Sequence, residues 1–521
     1  MRHAFRLAAT LITLAAIAAC APVDQSAPRV TAQADRPPNI IIFYADDLGY
    51  GDLGSYGAEG LPTPNVDRLA REGVRFTDGH AAAATCTPSR YALLTGEYGF
   101  RSKAEILPGD APLLIRPDKY TIADMLSERG YRTAVIGKWH LGLGDGAVDW
   151  NAEVKPGPLE IGFDYSFLLP ATGDRVPTAY LENHRIVGLD PADPLSVSYK
   201  EKIGDRPTGY ENPELLRYKA DRQHSDTIIN GVSRIGHMKG GKSAEWVDEE
   251  FHQVFTEKAK SFIRESKDQP FFIYFAFHDP HVPRLPAKRF QGATTMGPRG
   301  DAIVQMDWMT GQIIAELERL GLDQNTLVIF SSDNGPVLND GYEDGAVELL
   351  GNHKPAGPLR GGKYSAFEAG ARVPTIAWWP GRIAPGTSNA VVSQVDLFAS
   401  LASLTGAKLR PDVAIDSRNQ LGAWLGSDPM GRDLLFKEWV AGLVLRERDL
   451  KFIAPLRNPD QAAFVAGKGI ESGASNTAQL YDLSRDIGET RNLARDRPED
   501  VSRMRALLNA IVSRTRFEGE R

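Results

Sequence analysis

Four short apolar runs recur along the chain, and each ends in polar residues. Asn39-Ile40-Ile41-Ile42-Phe43-Tyr44-Ala45 stops at Asp46-Asp47, and Tyr131-Arg132-Thr133-Ala134-Val135-Ile136-Gly137 stops at Lys138-Trp139-His140. Phe271-Phe272-Ile273-Tyr274-Phe275-Ala276-Phe277 stops at His278-Asp279-Pro280-His281, and Thr326-Leu327-Val328-Ile329-Phe330-Ser331-Ser332 stops at Asp333-Asn334-Gly335. Runs that are almost continuously apolar predict parallel strands covered on both faces. Helical patterns alternate with them, most clearly Thr121 to Arg129, closed by Gly130, and Gln305 to Leu320, closed by Gly321. Strand alternating with helix predicts an α/β fold, a large and largely parallel sheet sandwiched by helices. From about Gly426 the pattern changes. Short strands at 434–440, 450–455 and 479–483, then a helix over 498–514, predict a small antiparallel sheet plus a helix. The expected organisation is a large domain over 38–425 and a C-terminal α+β subdomain over 426–521. The segment 482–486, with Glu489 and Asn492-Leu493, reads as a surface turn.

In open parallel sheets, ligands bind beyond the carboxyl ends of the strands. Asp-Asp, Lys-x-His, His-x-x-His and Asp-Asn each end a strand, so together they predict one site. Any one pair alone reads as turn chemistry; four at the same structural position do not. Asp46, Asp47, Asp333 and Asn334 are hard oxygen ligands without an imidazole, which suits Ca²⁺ or Mg²⁺ over Zn²⁺. Three carboxylates at one place repel one another unless a cation sits among them, and that ion would also polarise a bound oxyanion.

The stretch Thr85-Cys86-Thr87-Pro88-Ser89-Arg90-Tyr91-Ala92-Leu93-Leu94-Thr95-Gly96 adds a nucleophile. Pro88 suits a first helical position and Thr85 or Thr87 a cap, placing Cys86 just ahead of a helix N-terminus. Orphan N–H groups and the dipole favour an anion there, and Arg90, one turn on, adds positive charge. The competing reading is a small buried Cys before an ordinary helix.

The 521 residues carry a net charge of −7 from 60 Lys+Arg and 67 Asp+Glu. So acidic a chain is no general binder of nucleic acid; positive charge facing an anionic substrate must be confined to a pocket. Arg2, His3 and Arg6 precede an apolar run over 7–19, too short for a permanent membrane span. It ends Ile17-Ala18-Ala19-Cys20, a lipobox pattern, so the expectation is a signal peptide over 1–19 and lipidation of Cys20. A flexible tether over 20–37 follows, and the protein is exported, periplasmic or at the cell surface. With Cys20 lipidated, Cys86 has no disulfide partner, and an exported chain that keeps one thiol keeps it for chemistry.

Cys86-x-Pro88-x-Arg90 with Leu94-Thr95-Gly96 resembles the signature of the formylglycine-dependent (type I) sulfatases. So do Ala45-Asp46-Asp47-Leu48-Gly49-Tyr50-Gly51-Asp52, Gly137-Lys138-Trp139-His140-Leu141-Gly142, Pro280-His281-Val282-Pro283, Ser332-Asp333-Asn334-Gly335 and Gly361-Gly362-Lys363, in the family's order over about 38–510. The resemblance implies an alkaline-phosphatase-like fold and a calcium ion held by Asp46, Asp47, Asp333, Asn334 and the modified Cys86. It also implies a maturation enzyme that oxidises Cys86 to formylglycine, whose hydrated aldehyde attacks sulfur. Arg90 and Lys138 would steady the sulfate, His281 or Lys363 would protonate the leaving oxygen, and His140 would help release sulfate.

The segments 169–184 and 351–358 are similar to those of bacterial carbohydrate exo-sulfatases acting on 6-O-sulfated galactose or N-acetylgalactosamine. By that likeness Thr172 lies near the sulfate and His353 is a candidate substrate contact. Asp174 and Arg175 are suited to hydrogen-bond sugar hydroxyls, Arg175 through its planar fork; a loop-stabilising ion pair is the plainer reading. Two alternatives remain at this stage. One is a phosphodiester or phosphonate hydrolase of the same superfold. The other is a lipoprotein that binds sulfated glycans without turnover if Cys86 is not matured.

Overall fold

The computed structural model describes residues 36–513, and those from Pro37 onward form one compact unit. The leader, Cys20 and nearly all of the tether lie outside the described residues. Among those described, no helix is long and apolar enough to cross a membrane.

The centre is a ten-stranded sheet. All four predicted strands are neighbours in it and run parallel, in the order Thr326–Ser332, Asn39–Ala45, Phe271–Ala276, Arg132–Lys138, with Tyr165–Leu169 parallel beyond them. Their side chains alternate between two apolar layers. Ile40, Ile42 and Tyr44 face one core with the helices Ile122–Glu128 and Leu397–Thr405; Ile41 and Phe43 face another with Pro64–Glu72, Phe251–Ser266 and Gly297–Arg319. This two-sided burial is why the strands read as continuous apolar runs. Thr121 caps its helix by accepting from the Ala123 and Asp124 amides. The helix predicted over 305–320 starts earlier, at Gly297, because Pro298 is well placed in a first turn.

Beyond Thr326–Ser332 the sheet reverses once, at Thr375–Trp378, and reverses again at Val74–His80, which pairs in parallel with Gly386–Ser393. Two reversals restore the direction. The strand Val74–His80, whose half-alternating sequence gave no strong signal, therefore ends at the same edge as the other four and delivers Cys86 there.

The small C-terminal sheet has four antiparallel strands, Leu434–Trp439, Gly442–Glu447, Leu450–Ile453 and Gln479–Asp482, followed by the helix Pro498–Ser513. Leu434–Trp439 bonds to the segment leading into Cys86, through Ala84 N to Glu438 O at 2.8 Å and Glu438 N to Ala82 O at 3.1 Å. A buried ionic layer joins the sheets. Lys437 and Lys451 meet Glu368 at 2.6 and 3.1 Å, Lys451 meets Glu489 at 2.7 Å, and Arg446 meets Asp78 at 2.7 Å. Glu489, expected in a surface turn, is fully buried. Its carboxylate accepts the Glu368 amide, so the turn folds inward around it.

Candidate functional site

The sheet edge gathers the predicted residues. Cys86 opens the helix Cys86–Thr95 as its first residue, two earlier than the Pro88 start expected, and Thr85 occupies the cap position without a side-chain capping bond. Two other bonds set the helix. Ser89 Oγ takes the Ala83 amide at 3.0 Å, and the Thr87 hydroxyl donates to His140 O at 3.1 Å. Asp47 and His140 both hold left-handed backbone, φ 65° and 55°, a strain that non-glycine residues bear mainly where side chains must be aimed. Gly137, φ 111°, is required beside them, since a Cβ there would lie 1.9 Å from Ala276 O.

Beneath the cleft floor lies a buried charge cluster. Asp46 Oδ1 is 3.7 Å from Cys86 Sγ, and its other oxygen takes Lys138 Nζ. Arg90 donates to Asp333 Oδ2 from Nε at 3.0 Å and Nη2 at 2.7 Å, while Asp333 Oδ1 takes the Asp47 amide at 3.4 Å. Asn334 Nδ2 donates to Asp47 Oδ1 at 2.7 Å. Burial and the neighbouring Asp333 push the Asp46 carboxyl well up, and burial raises Asp47. Against the same burial, Arg90 holds Asp333 below its ordinary value. Asp46, Asp47, Cys86 and His281 each offer one atom within 4.8 Å of the others, and these residues could hold a metal ion. Asn334 Oδ1 is buried without a hydrogen-bond partner, a hard donor left available to a cation. The donor set fits an oxygen-seeking divalent ion.

Arg90 and Lys138, expected to steady the sulfate, are fully buried and pair with Asp333 and Asp46. Crowded carboxylates out of water need nearby counter-charge, and these two side chains supply it. Lys363 lines the cleft. Its Nζ lies 2.9 Å from Asp47 and 3.0 Å from Asp340, and these carboxylates lift it well above its ordinary value against burial. His281 Nδ1 pairs with Val282 O at 2.6 Å, leaving Nε2 3.8 Å from Asp47. Burial, then Lys363, pushes His281 well down, and burial, then Lys138, does the same to His140.

The cleft, about 470 Å³, brings Cys86, His140, His281 and Lys363 together with Asp174 and Arg175. Arg175 Nη1 meets Asp174 at 2.9 and 3.0 Å and the Thr172 hydroxyl at 2.8 Å. Thr172 is fully buried behind this pair and supports it. His353 is not brought to the cleft. Its Nε2 bonds Asp52 Oδ1 at 2.8 Å, completing a buried ion pair with Arg299. His278 is a buried neighbour of His281, ring centres 5.8 Å apart. The sequence reading missed Asp340, His224, Phe464 and Lys468, all of which line the cleft. Asn339-Asp340-Gly341 carried only a turn signal, His224 and Lys468 lie outside regular elements, and Phe464 sits on a five-residue helix too short to show periodicity.

A nucleophile position at a helix N-terminus, carboxylates beneath and an ammonium above, is the layout of an oxyanion-ester hydrolase. Comparison narrows the class. The family described as Sulfatase matches residues 38–407, and the chain belongs to that family and is a sulfatase. It is 47% identical over 517 residues to the N-acetylgalactosamine-6-O-sulfatase of Bacteroides thetaiotaomicron, covering 99% of this chain and 100% of that one. It is 33% identical over 478 residues to human arylsulfatase A, covering 88% and 83%. Among solved structures, a Bacteroides thetaiotaomicron protein from work on glycosaminoglycan metabolism superposes with a TM-score of 0.89 at 48% identity, over 91% of this chain and 99% of that one. The architecture is the alkaline-phosphatase-like one that the motifs implied.

Proposed function

We propose that the protein hydrolyses the 6-O-sulfate ester of N-acetylgalactosamine or galactose in a sulfated carbohydrate, with Cys86 matured to formylglycine and a calcium ion on Asp46, Asp47, Asp333 and Asn334. The observation that carries the sulfate chemistry is the position of Cys86, on the cleft wall at a helix N-terminus and 3.7 Å from Asp46. The N-acetylgalactosamine-6-O-sulfatase that shares 47% identity over both full lengths supports the sugar. Formylglycine would supply a hydrated aldehyde, whose two hydroxyls allow attack on sulfur and later release of sulfate, and the cation would polarise the ester oxygens.

The chain's own residues do the rest. Arg90 holds Asp333 ionised, while Lys138 only partly offsets the burial and the Asp333 charge that raise Asp46, so a cation among these carboxylates would favour the ionised, ligating form of Asp46. Lys363, kept protonated by Asp47 and Asp340, holds its proton at Nζ for the departing sugar oxygen. His281 and His140, pushed down by burial, stay neutral and can accept a proton. Asp174 and Arg175 hydrogen-bond the sugar hydroxyls, each as half of a charged pair. Export through the leader and a lipid anchor at Cys20 belong to the same proposal, and fatty-acid labelling that Cys20→Ala abolishes tests them.

Intact mass tests maturation: co-expression with a formylglycine-generating enzyme lowers the Cys86 peptide by about 18 Da, as replacing thiol by carbonyl requires. Sulfate release from 6-O-sulfated N-acetylgalactosamine must follow that conversion and vanish in Cys86→Ala. A matured enzyme that leaves the sugar untouched yet cleaves a phosphodiester would overturn the assignment.

A further inference from the structure

The reacting groups are the buried part of the cleft lining. Cys86, His140, Asp174, His281 and Lys363 are at most 3% exposed. The same cleft is also lined by apolar groups, Ile106, Leu107 and Pro108 and the aromatic rings of Tyr364 and Phe464. Phe464 is 45% exposed. A single apolar side chain on a protein surface needs no explanation; one on the wall of a catalytic cleft does.

Phe464 is held in place. It sits on the short helix Ala463–Gly467, whose next residue, Val465, is fully buried in one cluster with Tyr364 and Ile453. The Phe464 ring meets Tyr364 edge-on, centres 5.4 Å apart at 73°. Just after the helix, Lys468 is paired with Asp340, the carboxylate that also holds Lys363 at 3.0 Å. The segment carrying the exposed ring is thus tied to the reacting groups by two ion pairs sharing one carboxylate.

A pyranose ring is amphipathic, with hydroxyls at its edge and C–H bonds on its faces. Asp174, Arg175 and His224 can meet the hydroxyls of the one sugar whose sulfate lies at Cys86. A cleft of about 470 Å³ falls in the range of pockets for ligands larger than one ring, about 300–1,000 Å³. The neighbouring sugar would then extend to the apolar lining.

We propose that Phe464, backed by Tyr364, is a subsite for the pyranose linked to the sulfated sugar, stacking on its C–H face and favouring a sulfated disaccharide over the free sulfated monosaccharide. This rests on the carbohydrate reading above. The test uses matured, full-length enzyme and sulfate release from 6-O-sulfated N-acetylgalactosamine, from a disaccharide carrying that residue, and from a small aryl sulfate as control. Phe464→Ala should lower kcat/KM on the disaccharide about 3- to 10-fold, the size of one aromatic contact. The loss should fall on KM, leave the monosaccharide within about twofold, and be rescued by Phe464→Trp. Equal losses on both sugars, no loss on the disaccharide, or a parent enzyme indifferent to the second sugar would overturn the subsite. An enzyme that cleaves the aryl sulfate but neither sugar would instead sink the carbohydrate reading, and the subsite with it.

Discussion

Replacing Asp174 by Asn probes the polar wall of the cleft with almost no change of shape. Asp174 is 2% exposed and joins Arg175, at 2.9 Å, to His224, at 3.4 Å; His224 is held on its other side by Asp221 at 2.7 Å. Burial would raise Asp174, but Arg175 and then His224 hold it well below its ordinary value. Burial would lower His224, yet the two carboxylates lift it from 6.5 to about 9, so it is cationic at neutral pH. In Asp174→Asn only Asp221 remains, and His224 should titrate closer to 6.5. Weakening one charged contact costs about 1.5–3 kcal/mol, or about 10- to 150-fold in kcat/KM on the sulfated sugar. A small aryl sulfate, which does not reach this wall, should lose less than about threefold. The same change has a stability signature. A histidine raised on folding contributes fully below its unfolded value of about 6.5 and loses that contribution as pH rises through about 9; the gap is worth about 3 kcal/mol. Urea unfolding of the parent should therefore weaken between pH 6.5 and pH 9, and the variant should show a smaller decline at lower pH. Equal kinetic losses on both substrates, or a His224 NMR titration unmoved by the substitution, would refute the reasoning.

Calcium should raise the melting temperature of the parent and leave Asp46→Ala unmoved, with chelation reversing the gain; at a hundredfold excess over Kd the stabilisation is about 2.7 kcal/mol, and a parent indifferent to calcium removes the ion from the site. Glu489→Ala strips Lys451 of a carboxylate 2.7 Å away in a fully buried layer, so urea unfolding should show a loss of about 3–5 kcal/mol; a loss under about 1 kcal/mol would mean Glu368 alone suffices. Gly137→Ala forces a Cβ to 1.9 Å from Ala276 O at φ 111°, and should cost at least about 1–3 kcal/mol in thermal unfolding and reduce turnover by displacing Lys138. Unchanged unfolding would show that the two strands can part there.

Much of the active edge was readable along the chain because its signals are local. A strand covered on both faces must be apolar throughout, so Asn39–Ala45 and Phe271–Ala276 declare themselves, and so do the polar residues that end them. Glycines such as Gly130 and Gly321 mark helix ends for an equally local reason. Thus Asp46, Asp47, His281 and Asp333 could be assigned to one edge before any coordinates, while Cys86 and Lys363 were joined to it by the resemblance of their motifs. What each charge faces was not readable, since that depends on which other charges are buried beside it. Arg90 and Lys138 pair with the buried Asp333 and Asp46. His353 is claimed by Asp52 and Arg299, and Glu489 is drawn inward by Lys451. The strand delivering Cys86 joins the edge only through two sheet reversals, and Asp340, His224 and Phe464 come from loops and a single-turn helix with no period of their own. Periodicity encodes which face of an element avoids water; the meeting of distant loops is decided by long-range packing and charge compensation, which no local stretch of sequence carries.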